Sequence, residues 1–188
     1  FSTNGTERFK IDETGAITFT GSLDFTDAQG NTVIGIDAGD SFTGTDAENN
    51  TLIGCEAGNE ITSGDHNTAV GKSAGKGLTT GKQNVAIGTG ALDASAGTAD
   101  YNVAMGYLSL TSNTSGHSNT ALGFQALKAN ITGDRNVAVG HQALFDSTGD
   151  YNTAVGKGAL ANNIVSENTA LGYATCAANT TGLQNTGI

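Results

Sequence analysis

The chain has 188 residues, with 18 acidic against 8 basic side chains and a formal net charge of −10. Its 28 glycines, 18 asparagines and 27 threonines, with no proline and no tryptophan, leave little from which to build a conventional core. Low charge content and regularly placed Val, Ile and Leu nevertheless argue against disorder. The missing proline and three-residue glycine period exclude collagen, eight scattered cations cannot neutralise a run of phosphates, and no apolar run reaches the ~20 residues of a membrane helix. The composition points to a repeat protein, with neither nucleic-acid binding nor membrane insertion expected.

The chain opens at Phe1 without the basic and apolar regions of a signal peptide and stops at Ile188 inside a motif, so it reads as a segment of something longer. In the first thirty residues, Arg8-Phe9-Lys10-Ile11-Asp12 and Ala16-Ile17-Thr18-Phe19-Thr20 alternate at period two around Glu13-Thr14-Gly15. That pattern predicts a β-hairpin, and residues 1–30 read as a connector.

From residue 31 onward one motif, Asn-Thr/Val-Ala-aliphatic-Gly, recurs. It begins at Asn31, Asn50, Asn67, Asn84, Asn102, Asn119, Asn136, Asn152 and Asn168, and breaks off at Asn185; the spacings are 19, 17, 17, 18, 17, 17, 16, 16 and 17. So short a period excludes paired-helix repeats, which run at roughly 33 to 47 residues, and the units lack the leucines of leucine-rich repeats. Each unit predicts a short strand, a bend at the glycine, a second short strand such as His-Gln-Ala-Leu at 141–144 or Phe-Gln-Ala-Leu at 124–127, and a polar turn containing Ser/Thr-Gly. The expected fold is all-β: a parallel β-roll or β-solenoid of about ten ~17-residue coils over residues 31–188.

Stacked coils turn each motif position into a column with a rise of ~4.8 Å. The asparagines predict an amide ladder. The two residues between the asparagine-proximal Thr/Val and the glycine, for example Ala138 and Val139, point to opposite faces of the strand. Both are apolar, yet a coil has one interior, so the second face is expected to be buried against other copies of the chain, most simply in a homotrimer.

The motifs NTAVG, NTALG and NVAIG, each followed by an Ala-Leu segment, resemble the head repeats of trimeric autotransporter adhesins. They resemble still more the β-roll repeats of bacteriophage tail fibres, and the opening TERFKIDETGAITF is similar to the strand that precedes such repeats. The resemblance covers residues 31–188 well and 1–30 loosely. It implies a left-handed parallel β-roll, three chains side by side, at a virion or cell surface. The longer interval favours the fibre over the adhesin head.

Candidate chemical sites are few. Cys55 and Cys176 fall seven coils apart, roughly 34 Å at ~4.8 Å per coil, too far for a disulfide or a zinc pair, and both read as packing residues. His66, His117 and His141 occupy three different columns. The GKGLTTGK at 75–82 has the wrong glycine spacing for a phosphate loop and lacks its terminal Ser/Thr. No catalytic constellation is expected, and no cofactor. The Asn-X-Ser/Thr sites at Asn4, Asn49, Asn113, Asn130 and Asn179 carry little weight in so Asn- and Thr-rich a chain.

Two columns are more informative. Two residues before the asparagine come Glu48, Asp65, Asp100, Asp134 and Asp150, interrupted by Lys82, His117 and Ser166. Asp65, Asp100, Asp134 and Asp150 are weak calcium candidates, set against the simpler reading of a solvated edge. The residue after each glycine places Tyr107, Phe124 and His141 on three consecutive rungs, where their rings should stack. Such a strip is a speculative glycan contact, set against a structural role.

The sequence thus predicts a shaft or head segment of a trimeric fibre, most simply a phage tail fibre presenting a receptor-binding tip for host attachment. Partners would be further copies of the chain and a host surface glycan or outer-membrane receptor. The alternatives are a bacterial adhesin head that binds along its flank and a self-assembling extracellular filament. An ice-binding solenoid is disfavoured because no flat Thr-X-Thr face recurs.

Overall fold

Strand formation follows the motif: a Thr or Val and an aliphatic residue flank one small residue, and the glycine ends the run. The computed structural model describes residues 26–42, 46–94 and 97–188 in full, and the backbone of four short strands before them. Those are β1 Ser2–Thr3 paired antiparallel with β2 Thr6–Glu7, and β3 Phe9–Ile11 paired antiparallel with β4 Ile17–Phe19, Lys10 opposite Thr18. The second pair is the expected hairpin; its Glu13-Thr14-Gly15 turn lies outside the described residues.

The repeats form one ten-stranded parallel sheet in strict chain order, about nine turns of a β-solenoid. Its strands are β5 Thr32–Ile34, β6 Thr51–Ile53, β7 Thr68–Val70, β8 Val85–Ile87, β9 Val103–Met105, β10 Thr120–Leu122, β11 Val137–Val139, β12 Thr153–Val155, β13 Thr169–Leu171 and β14 Thr186–Gly187. Each follows a repeat asparagine. Register is column to column: Thr120, Ala121 and Leu122 face Val137, Ala138 and Val139 on one side and Val103, Ala104 and Met105 on the other. Coils are numbered here from one at Asn31 to nine at Asn168, and positions are counted from that asparagine as 0.

One expectation is corrected. The second segment of each coil is not a strand but a run of turns. It alternates into the left-handed region, with Gln125 at φ 54° and Leu127 at 51°, and Gln142 and Leu144 at 56° and 50°. Every coil repeats this at positions +6 and +8, and again at −1 just before the asparagine. All 22 described non-glycine residues of positive φ fall in these three columns. A left-handed residue costs roughly 1–2 kcal/mol, so the stack must hold them. It does so by pairing turn to turn: in coil six, Gln125 donates to the Tyr107 carbonyl (2.9 Å), Leu127 to Ala143 (3.0 Å) and Ala129 to Phe145 (3.0 Å).

The glycine after each strand is obligatory on two counts. Gly123 has φ 136°, and a Cβ there would lie 2.6 Å from the carbonyl oxygen of Gly140 in the next coil. The interior is narrow and built mainly of alanine at +2 and +7, such as Ala121, Ala126, Ala138 and Ala143, all fully buried. Larger side chains enter in two complementary ways. Coils one to three carry Gly39, Gly58 and Gly75 at +8 and fill the space from +11 with Phe42, Ile61 and Leu78. Coils four to eight carry leucine at +8 (Leu92, Leu110, Leu127, Leu144, Leu160), and coils five to eight have Asn113, Asn130, Ser147 and Asn163 at +11. The exchange is steric, since a Cβ on Gly58 would sit 2.8 Å from Ile61 Cδ1.

The amide ladder runs from Asn31 to Asn185, each Oδ1 accepting the next asparagine's backbone N–H; the side-chain amides follow it except at Asn168, whose Nδ2 turns to Asn163 Oδ1 (3.3 Å) and the Ser166 carbonyl (2.9 Å). Asn119 Oδ1 accepts the backbone N–H (2.9 Å) and the side-chain amide (3.1 Å) of Asn136; its own Nδ2 donates to Asn102 Oδ1 (3.1 Å) and the Gly133 carbonyl (2.8 Å). Each buried ladder asparagine is thus satisfied without water, which is what lets it be buried at all. At the N-terminal end, Asp27 takes the place of a preceding asparagine. Its Oδ1 accepts the Asn31 N–H (2.8 Å), its Oδ2 accepts Asn31 Nδ2 (3.0 Å), and Thr26 bridges antiparallel to Thr32.

Candidate functional site

The strands carry side chains alternately inward and outward, and the two apolar columns separate as expected. The +2 column is buried from Leu52 to Ala170, with Val33 half-buried at the first coil, while the +3 column faces out: Ile34, Ile53, Met105 and Leu171 are 43, 37, 44 and 51% exposed, and Val70, Ile87, Leu122, Val139 and Val155 are partly covered. The +1 column beside it holds only Thr and Val. Across coils one to nine these outward positions, 18 in all, include no charged residue in a chain with 26 of them. An exposed surface in an acidic protein ordinarily carries charge, so a long uncharged face of branched side chains stands out.

Across the glycine bend lies the +5 column, where Tyr107, Phe124 and His141 stack as expected. Tyr107 and Phe124 have ring centroids 5.5 Å apart, Phe124 and His141 4.9 Å, each pair 16° from parallel. Lys157 continues the column with its ammonium 5.8 Å from the Tyr173 ring centre. This is a ladder rather than a platform: neighbouring rings cover one another's faces, and Thr89 and Lys157 occupy the rungs on either side of the three rings. Stacking of this kind stabilises by about 0.5–1.5 kcal/mol per pair.

The −2 column does more than solvate an edge. Each acceptor side chain receives the N–H of the −2 residue one coil earlier: Asp65 from Glu48 (3.1 Å), Asp100 from Lys82 (2.7 Å), His117 from Asp100 (3.0 Å), Asp134 from His117 (2.7 Å), Asp150 from Asp134 (2.9 Å) and Ser166 from Asp150 (2.9 Å). A turn at this position has an N–H that no strand pairs, and the column supplies its partner. Lys82 cannot accept, so it reaches back instead, its Nζ 2.7 Å from Asp65 Oδ2. Burial raises the Asp65 carboxyl, but the Lys82 hydrogen bond, the Glu48 N–H and the Lys82 charge together hold it below its ordinary value. Of the four calcium candidates, Asp134 and Asp150 are on adjacent rungs, while Lys82 separates Asp65 from Asp100 and His117 separates Asp100 from Asp134. Each commits one oxygen to a cap, and among the described residues no three His, Cys, Asp or Glu gather as a metal-holding group.

Cys55 is exposed and Cys176 half-buried, both as free thiols. His66, His117 and His141 remain in separate columns, −1, −2 and +5, as read from the sequence. The GKGLTTGK segment is the turn of coil three, where Gly75 and Leu78 are core positions. Of the Asn-X-Ser/Thr asparagines, Asn113 and Asn130 are buried and close their own turns, each accepting the N–H of the glycine three residues on (3.0 and 3.1 Å). That second amide column was missed by reading the motif asparagine alone. Its signal was available, since Asn-X-X-Gly recurs at 113–116, 130–133 and 179–182.

The fold and surface define a parallel β-solenoid whose distinctive exposed features are an uncharged sheet face, a ring ladder and a capped acidic edge. No family model, curated protein or solved structure matches the chain.

Proposed function

We propose that this chain is a shaft segment of a homotrimeric β-roll fibre, of the bacteriophage tail-fibre kind, that holds a receptor-binding tip for host attachment. The reading belongs to a virion or cell surface, with further copies of the chain as the first partner. The observation that carries it is the outward sheet face: nine rungs of Val, Ile, Leu and Met beside Thr and Val, uncharged from end to end. A column repeating at ~4.8 Å is matched along its whole length by an identical column at the same rise, so a second and third copy are its natural cover. The role is mechanical: rung-to-rung hydrogen bonds and a shared apolar axis make a rod of roughly 43 Å for nine intervals.

Light scattering after size exclusion, over a hundredfold concentration range, tests this reading. A constant mass of three chains supports it, and a stable monomer overturns it. The ring ladder favours a second reading, an adhesin head that binds along its flank. Changing Tyr107 and Phe124 to Ala then abolishes attachment while the oligomer persists; unchanged attachment removes that reading. The filament alternative has less support, because Asp27 and the Thr26–Thr32 bridge already occupy the N-terminal edge against which another copy would stack.

A further inference from the structure

Six contacts make up the −2 capping column. Four of the acceptors are carboxylates, one is the Ser166 hydroxyl, and one is an imidazole. His117 Nδ1 lies 3.0 Å from the Asp100 backbone N–H. A backbone N–H can only donate, so Nδ1 must present its lone pair, and the proton of the neutral ring sits on Nε2. In this column His117 is the one acceptor that loses its accepting lone pair when it gains a proton: a protonated carboxyl, like a hydroxyl, still has lone pairs to offer, whereas both nitrogens of an imidazolium carry hydrogen.

We propose that His117 makes the contact between coils four and five acid-sensitive. At neutral pH its ring holds the Asp100 amide. In acid, Nδ1–H would point at that amide, and the ring turns to the Asp100 carboxylate, whose Oδ2 is already 3.8 Å from Nδ1. The amide is released and the edge of the solenoid loosens there, while the sheet stays paired.

The charged groups around the ring fit this exchange. Asp100 faces it from coil four. Behind Asp100, Lys82 gives its N–H to Asp100 Oδ1 and its ammonium to Asp65. From coil six, Asp134 Oδ1 holds the His117 N–H at 2.7 Å. Arg135 donates its backbone N–H to the His117 carbonyl (3.0 Å), but its guanidinium is turned to the Tyr151 hydroxyl (2.7 Å). The protonated ring therefore finds a carboxylate on each side and, among the described residues, no free cation against it, so acid rewires this contact rather than expelling the side chain. The seam also borders the place where the core passes from glycine to leucine at +8, between Gly75 and Leu92.

The proposal is independent of oligomeric state, and native-state hydrogen exchange tests it. In the wild-type chain, protection of the Asp100 amide, corrected for intrinsic exchange, falls about tenfold between pH 8 and pH 5. The Asp134 amide, held by Asp150 Oδ1 at 2.9 Å, keeps its protection. His117→Ser supplies the acceptor that Ser166 provides in coil eight, and it removes the pH difference at Asp100 while leaving the fold intact. Nitrogen-15 shifts of the ring show Nδ1 unprotonated at pH 8. Equal protection of Asp100 at both pH values, an undiminished difference in His117→Ser, or Nδ1–H at pH 8 would each overturn the assignment.

Discussion

The amide ladder makes the sharpest energetic claim, and Asn119→Ala tests it. Truncation removes four hydrogen bonds, but not all of the partners are left alone. Asn102 Oδ1 keeps the Asn119 backbone N–H (2.8 Å), and the Gly133 carbonyl keeps Asn130 Nδ2 (3.0 Å). Two donors are orphaned in the interior: the Asn136 backbone N–H and one hydrogen of Asn136 Nδ2, whose other hydrogen stays on Gly149 (2.8 Å). At about 1–3 kcal/mol for each buried unsatisfied group, the cost is about 2–6 kcal/mol. That is a large part of the ~5–15 kcal/mol that holds a typical domain. Equilibrium urea unfolding, with hydrogen exchange at the Asn136 amide as the local probe, reads it. The same-sized Asn119→Asp separates polarity from volume. One carboxylate oxygen would face the Gly133 carbonyl and Asn102 Oδ1, two acceptors where the amide donated, while the other keeps both Asn136 donors, so its loss relative to Asn119→Ala weighs the donating half of the ladder contact against the accepting half. A loss below about 1 kcal/mol for Asn119→Ala, with Asn136 still protected, would show that the ladder is packing rather than hydrogen bonding.

Four further outcomes follow from the same geometry. Gly75→Leu alone destabilises, because its Cβ meets Leu78 Cδ1 at 3.1 Å; adding Leu78→Asn recovers about 1–3 kcal/mol of coupling in a double-mutant cycle. Ser118, exposed at φ 59°, pays for a left-handed backbone, so Ser118→Gly raises the thermal midpoint by an amount corresponding to about 0.5–1 kcal/mol, the left-handed cost less glycine's entropy. Ser147 Oγ is buried without a hydrogen-bond partner, so Ser147→Ala is neutral or stabilises by up to about 1 kcal/mol in urea unfolding. Burial raises the Asp27 carboxyl, but hydrogen bonds from the Asn31 side chain and from the Asn31 and Gln29 backbones outweigh it and hold it below its ordinary value. Its contribution is therefore present above the unfolded pKa and lost as pH falls through the folded one, and Asp27→Ala flattens the acid limb of an unfolding titration.

Much of this molecule was legible because a solenoid converts sequence period directly into spatial neighbourhood. Once the asparagine spacing was known, the parallel sheet, its register, the amide ladder, the opposite facing of the +2 and +3 columns and the stacking of Tyr107, Phe124 and His141 all followed from one dimension. Each of these depends only on which residues lie one coil apart.

What the tertiary structure decided concerns direction and volume within a coil, which period alone does not carry. Phe-Gln-Ala-Leu at 124–127 has strand-like composition, but its backbone turns left-handed at Gln125 and Leu127 because the neighbouring coils pair each turn in place. The hint was the scatter of glycine through those columns, at Gly90 and Gly158 in +6 and Gly39, Gly58 and Gly75 in +8. The exchange of Gly75 and Leu78 for Leu127 and Asn130 is invisible until both positions are seen to fill one space. The −2 residues look like a solvated acidic edge in sequence; only the fold brings the side chains of Asp65, Asp100, His117, Asp134, Asp150 and Ser166 to the N–H groups one coil earlier and makes His117 Nδ1 an acceptor. Asp27, outside the repeat, ends the ladder for the same reason: an open row of donors must be met by an acceptor, and folding brings this carboxylate to it.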